Sequence, residues 1–126
     1  MNTIVYDAGA LIAAENGVER MWALHKQALA RAIEPVIPAT VLAEVWRGGG
    51  SRQHRLNQFI QSCRIDDLND TTARATGTLL ATAPPHGIVD ASVVECALRR
   101  TSPCVTSNRD HLSDLAGARR LNIIDI

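Results

Sequence analysis

Short apolar runs rich in β-branched residues alternate along this chain with longer segments of helical periodicity. The first run, around Ile4 and Val5, suits a buried strand that stops at Asp7; Gly9 follows, and residues 10–14 start a helix. Over 18–32, Val18, Met21, Trp22, Ala28, Leu29 and Ala32 recur at helical spacing, with Glu19, Lys26, Gln27 and Arg31 on the other face. Glu34-Pro35 ends that helix, and Val36-Ile37 is a short strand closed by Pro38. Residues 40–47 form a second helical segment that Gly48-Gly49-Gly50 terminates; Ser51 caps a third, reaching Ile60, before a brief strand at Cys63-Arg64-Ile65. Asp70 or Thr71 opens a helix to about Thr82, stopped by Pro84-Pro85. Gly87 makes a turn, and residues 89–99 are a strongly periodic helix. A strand over 103–106, a short helix over 109–115 and a last strand over 122–126 complete the pattern. Strands alternating with helices predict an α/β fold with a mostly parallel sheet covered on both faces. No repeat, linker or low-complexity segment interrupts it, so residues 1–126 read as a single domain.

Composition narrows the picture mainly by exclusion. Aromatics make up only 3% of the chain, so Ala, Leu, Ile and Val must fill the core. The formal net charge is zero, so any nucleic-acid site has to be a local patch. Lys26 is the only lysine among the cations. Cys63, Cys96 and Cys104 are odd in number and widely spaced, which argues against a disulfide framework or a structural zinc site. His25, His54, His86 and His111 are scattered, with no His-Glu-x-x-His spacing. No charged-then-apolar leader opens the chain and no apolar run is long enough to span a bilayer, so a cytoplasmic protein with no membrane partner is expected.

Most acidic residues, Glu15, Glu19, Asp66, Asp67 and Asp70 among them, lie in polar neighbourhoods and read as solvated. Three do not. Asp7 ends a buried strand at the sheet edge where ligands bind in open α/β folds, or else caps the following helix. Asp90 falls in the middle of the stripe formed by Val93, Val94, Ala97 and Leu98, at about 100° per residue. It therefore points towards the sheet, at a helix N-terminus that favours its charge. Glu44 lies at the edge of the stripe of Val41, Leu42 and Val45. Singly each is a cap or a core-edge acid. Together, carboxylates in a partly dry site repel one another unless they are protonated or neutralised. A hard divalent cation removes that cost, and Mg²⁺ or Mn²⁺ prefers oxygen ligands with retained waters. The segment Val105-Thr106-Ser107-Asn108-Arg109-Asp110 adds a further strand end bearing hydroxyl, amide and carboxylate oxygens.

Asp7 after the first strand, Glu44 in Leu-Ala-Glu-Val, Val89-Asp90-Ala91, and Thr-Ser-Asn-Arg-Asp ending at Asp110 together resemble the PIN-domain ribonucleases. The short length and the closing Arg120-Leu121-Asn122-Ile123-Ile124 are most similar to the VapC toxins of toxin–antitoxin modules. That resemblance implies a three-layer α/β/α fold with a five-stranded sheet of order 3-2-1-4-5. It implies an acidic site for one or two Mg²⁺, with Mn²⁺ as a substitute, and cleavage of RNA. It also implies a VapB-like antitoxin as inhibitor, in a homodimer or a toxin–antitoxin hetero-oligomer. Asp7, Glu44 and Asp90 match the first three acids of the family; Asn108 stands where an aspartate is frequent, and Asp110 matches another acid of that motif. Catalysis and metal binding are thus expected at Asp7, Glu44, Asp90 and Asp110, supported by Thr106 and Asn108. Arg47, Arg52, His54 and Arg55 flank the glycine loop, where they either track an RNA backbone or form a solvated charge cluster. Two other readings stay open: a catalytically decayed PIN-like binding module marked by Asn108, and a receiver-type phosphoacceptor domain. The receiver reading lacks a lysine near a late strand end.

Overall fold

The chain runs β1 (Thr3–Tyr6), α1 (Ala8–Glu15), α2 (Glu19–Ala30), β2 (Glu34–Pro38), α3 (Ala39–Val45), α4 (Ser51–Ile60), β3 (Arg64–Asp66), α5 (Asp70–Ala81), α6 (Ile88–Arg100), β4 (Cys104–Thr106), α7 (Arg109–Ala116) and β5 (Ile123–Asp125). This is the order in the computed structural model, which describes residues 2–82 and 86–126. The strands form one sheet of order β3-β2-β1-β4-β5 in which every pair is parallel, with helices on both sides. The expected order 3-2-1-4-5 is therefore observed. The Pro84-Pro85 helix stop lies outside the described residues.

β1 sits centrally, and Val5 and Tyr6 are fully buried there. Its neighbour β2 differs from the sequence expectation, because Pro35 and Pro38 lie within the strand instead of bounding it. The direction of the missing N–H groups explains this. Glu34 N–H donates to Asn2 O on the β1 side, so Pro35 faces the other side, where β3 begins pairing only at Val36↔Arg64. Pro38 faces β1 again, beyond the last pair, Val5↔Val36. Neither proline removes a ladder bond.

Helix ends follow their sequence signals where a side chain can reach. Asn69 and Thr72 make a reciprocal capping box at α5. At α4, Ser51 is the first helical residue and Gly50 the N-cap, so the serine does not cap as expected. The loop before α4 is instead pinned by the buried Gln53, whose Oε1 accepts from Arg47 N at 2.6 Å and Gly48 N at 3.1 Å while its amide donates to Glu15 and to Val45 O. Asp66, expected to be solvated, is instead held by Arg99 and Arg100 of α6. Burial pushes the Asp66 carboxyl up, but bonds to the two guanidinium groups outweigh it and hold the group below the usual carboxylate range. The three cysteines are free.

His25 is buried in α2, bonded to Tyr6 OH at 2.9 Å and Ser62 Oγ at 2.6 Å and stacked on Phe59. Burial pushes its imidazole down to about 4. The unfolded chain therefore binds this proton more tightly than the folded one. Stability from a neutral His25 is complete above about pH 6.5 and is lost as pH falls through the folded value, by on the order of 3 kcal/mol. Urea unfolding at pH 7, 6 and 5 is expected to show that loss, and His25→Gln to flatten it. Parallel slopes for the two proteins would remove His25 as the cause.

Candidate metal centre at the carboxyl ends of the strands

Asp7 follows β1 directly and is the N-cap of α1, its Oδ1 accepting Ala10 N–H at 2.8 Å. Cap and site are thus not alternatives: one carboxylate carries the cap and still sits at the strand end. The neighbouring strand closes on it. Asp7 N–H donates to Val105 O at 3.1 Å, and a Cβ at Gly9 would collide with Ser107 Oγ and lie 3.1 Å from Ser107 Cβ. Only glycine lets the start of α1 approach the end of β4 this closely. That approach sets the fully buried Thr106 beside Asp7. Thr106 Oγ1 accepts Asn108 N–H at 2.8 Å, which leaves its own proton for the Asp7 carboxylate.

Asp7 is only 5% exposed, and its carboxyl is raised above the usual range. Burial is the largest cause; the Thr106 hydroxyl and the Ala10 N–H work against it, and the charge of Asp90 adds to the rise. Asp90 stands half-buried in the first turn of α6, where the helix N-terminus favours a negative charge. As the helical stripe predicts, Val93, Val94 and Ala97 on the same face are buried.

The other expected residues are placed differently. Glu44 is exposed on α3, and Asp110 is exposed in the first turn of α7. Asp90 is the only one of the four expected acids in the group of closely spaced ligand atoms found among the described residues; Asp7, Glu44 and Asp110 do not join it. That group is His86, Asp90 and His111, which corrects the reading of the histidines as scattered. His111 Nδ1 lies 3.4 Å from Asp90 Oδ2 and 2.7 Å from Asn108 Nδ2. The signal for His86 was its position four residues before Asp90. For His111 the signal was the one-residue step from Asp110, because successive helical residues point about 100° apart.

Around the glycine loop, Arg55 Nη1 donates to Glu15 O at 3.0 Å, and Arg47 Nη1 donates to Trp46 O at 2.7 Å. Both arginines therefore also close helix ends. Arg52 and His54 are exposed on α4.

A family model of the PIN domain matches residues 4–118. Among curated proteins none matches the chain. Among solved structures, VapBC2 from Rickettsia felis bound to a DNA fragment from their promoter is similar, with a TM-score of 0.78 and 17% identity over 98% of this chain and 98% of that one. DNA-bound VapBC from Salmonella typhimurium gives 0.76 and 20% identity over 99% and 98%. A toxin–antitoxin complex from Klebsiella pneumoniae gives 0.69 and 20% over 96% and 95%. At these identities the likeness is one of fold. Among the described residues, no helix is long and apolar enough to cross a membrane.

Proposed function

Because the chain belongs to the PIN domain family, whose members are in general nucleases, we propose that it is a VapC-type toxin, a metal-dependent endoribonuclease restrained by a VapB-like antitoxin. The observation that carries this reading is the pair Asp7 and Asp90. A buried carboxyl is raised by burial and further by the charge of Asp90, and among the described residues no arginine, lysine or histidine forms an ion pair with Asp7. A divalent cation fits such a pair, because it removes both the desolvation cost and the repulsion. Asp7 and Asp90 would hold Mg²⁺, with Mn²⁺ as a substitute. Glu44 and Asp110 would add carboxylates at the rim.

Bound there, the cation supplies Lewis acidity and neutralises charge that grows on the phosphate oxygens. The residues of the chain do the rest. Ala10 N–H and the Thr106 hydroxyl hold Asp7 in one orientation, so little reorganisation remains at the moment of reaction. Asn108 holds Thr106 through its N–H. The exposed carboxylate of Glu44 would hold the attacking water. Arg52 and His54, with the uncovered donors of Arg47 and Arg55, track the RNA backbone.

The solved toxin–antitoxin complexes support a partner of that class here. A groove of about 420 Å³ between α3 and α4, lined mainly by Leu42, Trp46 and Ile60, suits the apolar side of an antitoxin segment. An arginine on that segment would match the carboxylates in fork geometry.

The test is RNA cleavage by the purified chain. Cleavage is expected with Mg²⁺ or Mn²⁺, and it is expected to stop with a chelator and with saturating partner co-purified from the native host. Intact RNA after incubation of folded protein with Mg²⁺ would overturn the nuclease and favour a binding module. Undiminished cleavage at saturating partner would overturn the mode of inhibition.

A further inference from the structure

We propose that His86, Asp90 and His111 form a binding site for a transition-metal cation of the Zn²⁺ class, beside the acidic centre and sharing Asp90 with it. One ring nitrogen or carboxylate oxygen from each of the three lies within 4.8 Å of the others. They come from the residue before the N-cap of α6, the first turn of α6 and the first turn of α7. The two imidazole rings meet with centroids 4.9 Å apart.

Two features beyond spacing fit a cation. The His86 side chain is only 9% exposed, and its Nε2 has no hydrogen-bond partner among the described residues; Asp114 Oδ2 lies 3.5 Å away. Such a buried nitrogen is costly unless something occupies its lone pair or accepts its proton. At His111, Asn108 Nδ2 faces Nδ1, which makes Nδ1 an acceptor. The Asp90 oxygen 3.4 Å away then faces another lone-pair atom with no proton between them. A cation that displaces the Asn108 amide from Nδ1 turns that opposition into joint ligation.

The donor set decides which cation. Two imidazoles and one carboxylate suit Zn²⁺ and its neighbours, whereas Mg²⁺ prefers oxygen alone. Three protein ligands also leave a coordination position open. Because Asp90 is shared, Zn²⁺ held here takes it from the acidic centre and inhibits Mg²⁺-supported cleavage. That consequence rests on the nuclease reading; the binding site does not.

Long-range ¹H–¹⁵N spectra of the apo protein separate the four histidines. Stoichiometric Zn²⁺ is expected to shift the ring signals of His86 and His111, to leave those of His25 and His54 in place, and to resist excess Mg²⁺. Unmoved His86 and His111 rings overturn the proposal without any variant. By calorimetry, His86→Ala and His111→Ala are each expected to weaken Zn²⁺ binding about tenfold or more. Variants that fold and bind as the wild type does overturn it. In the activity arm, Zn²⁺ is expected to inhibit the wild type at lower concentration than His86→Ala. Intact Zn²⁺ binding in a protein that cleaves no RNA supports this site and counts against the nuclease alone.

Discussion

Asp90→Asn is expected to lower RNA cleavage by about 10³-fold, equal to about 4 kcal/mol in the barrier. The loss should fall on the chemistry and spare the fold. Gly87 is the N-cap of α6, and Asp90 makes no cap there, so an isosteric amide leaves the helix start intact. The variant gives up a favourable charge–dipole contact of about 0.3–1 kcal/mol. Against that, it relieves the repulsion that Asp90 exerts on Asp7. Single-turnover cleavage at saturating Mg²⁺, beside urea unfolding of the metal-free protein, separates the two effects. A wild-type rate would reject Asp90 as a ligand. Collapse of the apo fold would reassign it to structure.

Asp7→Asn is expected to cut cleavage by about 10²-fold or more, and to do so in a metal-free protein that is more stable than the wild type at pH 7. Asparagine keeps an oxygen for the Ala10 N–H, because Asn and Asp are comparable caps. What it removes is a buried charge. The Asp7 carboxyl is raised in the folded state, so the folded protein binds this proton more tightly than the unfolded chain does. Its contribution is therefore fully present below the ordinary aspartate value and is lost as pH rises through the folded value. The advantage of the variant should accordingly be largest at neutral pH and vanish towards pH 3. Mg²⁺ should raise the urea midpoint of the wild type, since binding only to the folded state stabilises it, and leave the variant unmoved. A variant less stable than wild type at pH 7 without metal would mean that the charge serves the cap.

The elements and the places of Asp7 and Asp90 in them are legible because their signals are local. A run of β-branched residues ending in a carboxylate marks the strand end at Asp7, and a helical wheel places Asp90 among Val93, Val94 and Ala97. These patterns depend on neighbours within two turns of chain, which the sequence specifies. The motif resemblance added the strand order and the family, which the sheet and the family match bear out.

What remained undecided in the sequence depends on contacts between distant segments. Pro35 and Pro38 read as breaks until the register of β2 against β1 and β3 shows which way their absent N–H groups face. Arg55 reads as an RNA-tracking or merely solvated cation until α4 docks on α1 and brings the Glu15 carbonyl to it. Asp110 and His111 are adjacent in sequence, yet only the docking of α7 against α6 sets the imidazole beside Asp90. His86 and His111 carry no shared periodicity, being 25 residues apart. A local pattern states which face a side chain occupies. The partner it meets there is chosen by how two elements pack, and that was decided only by the tertiary structure.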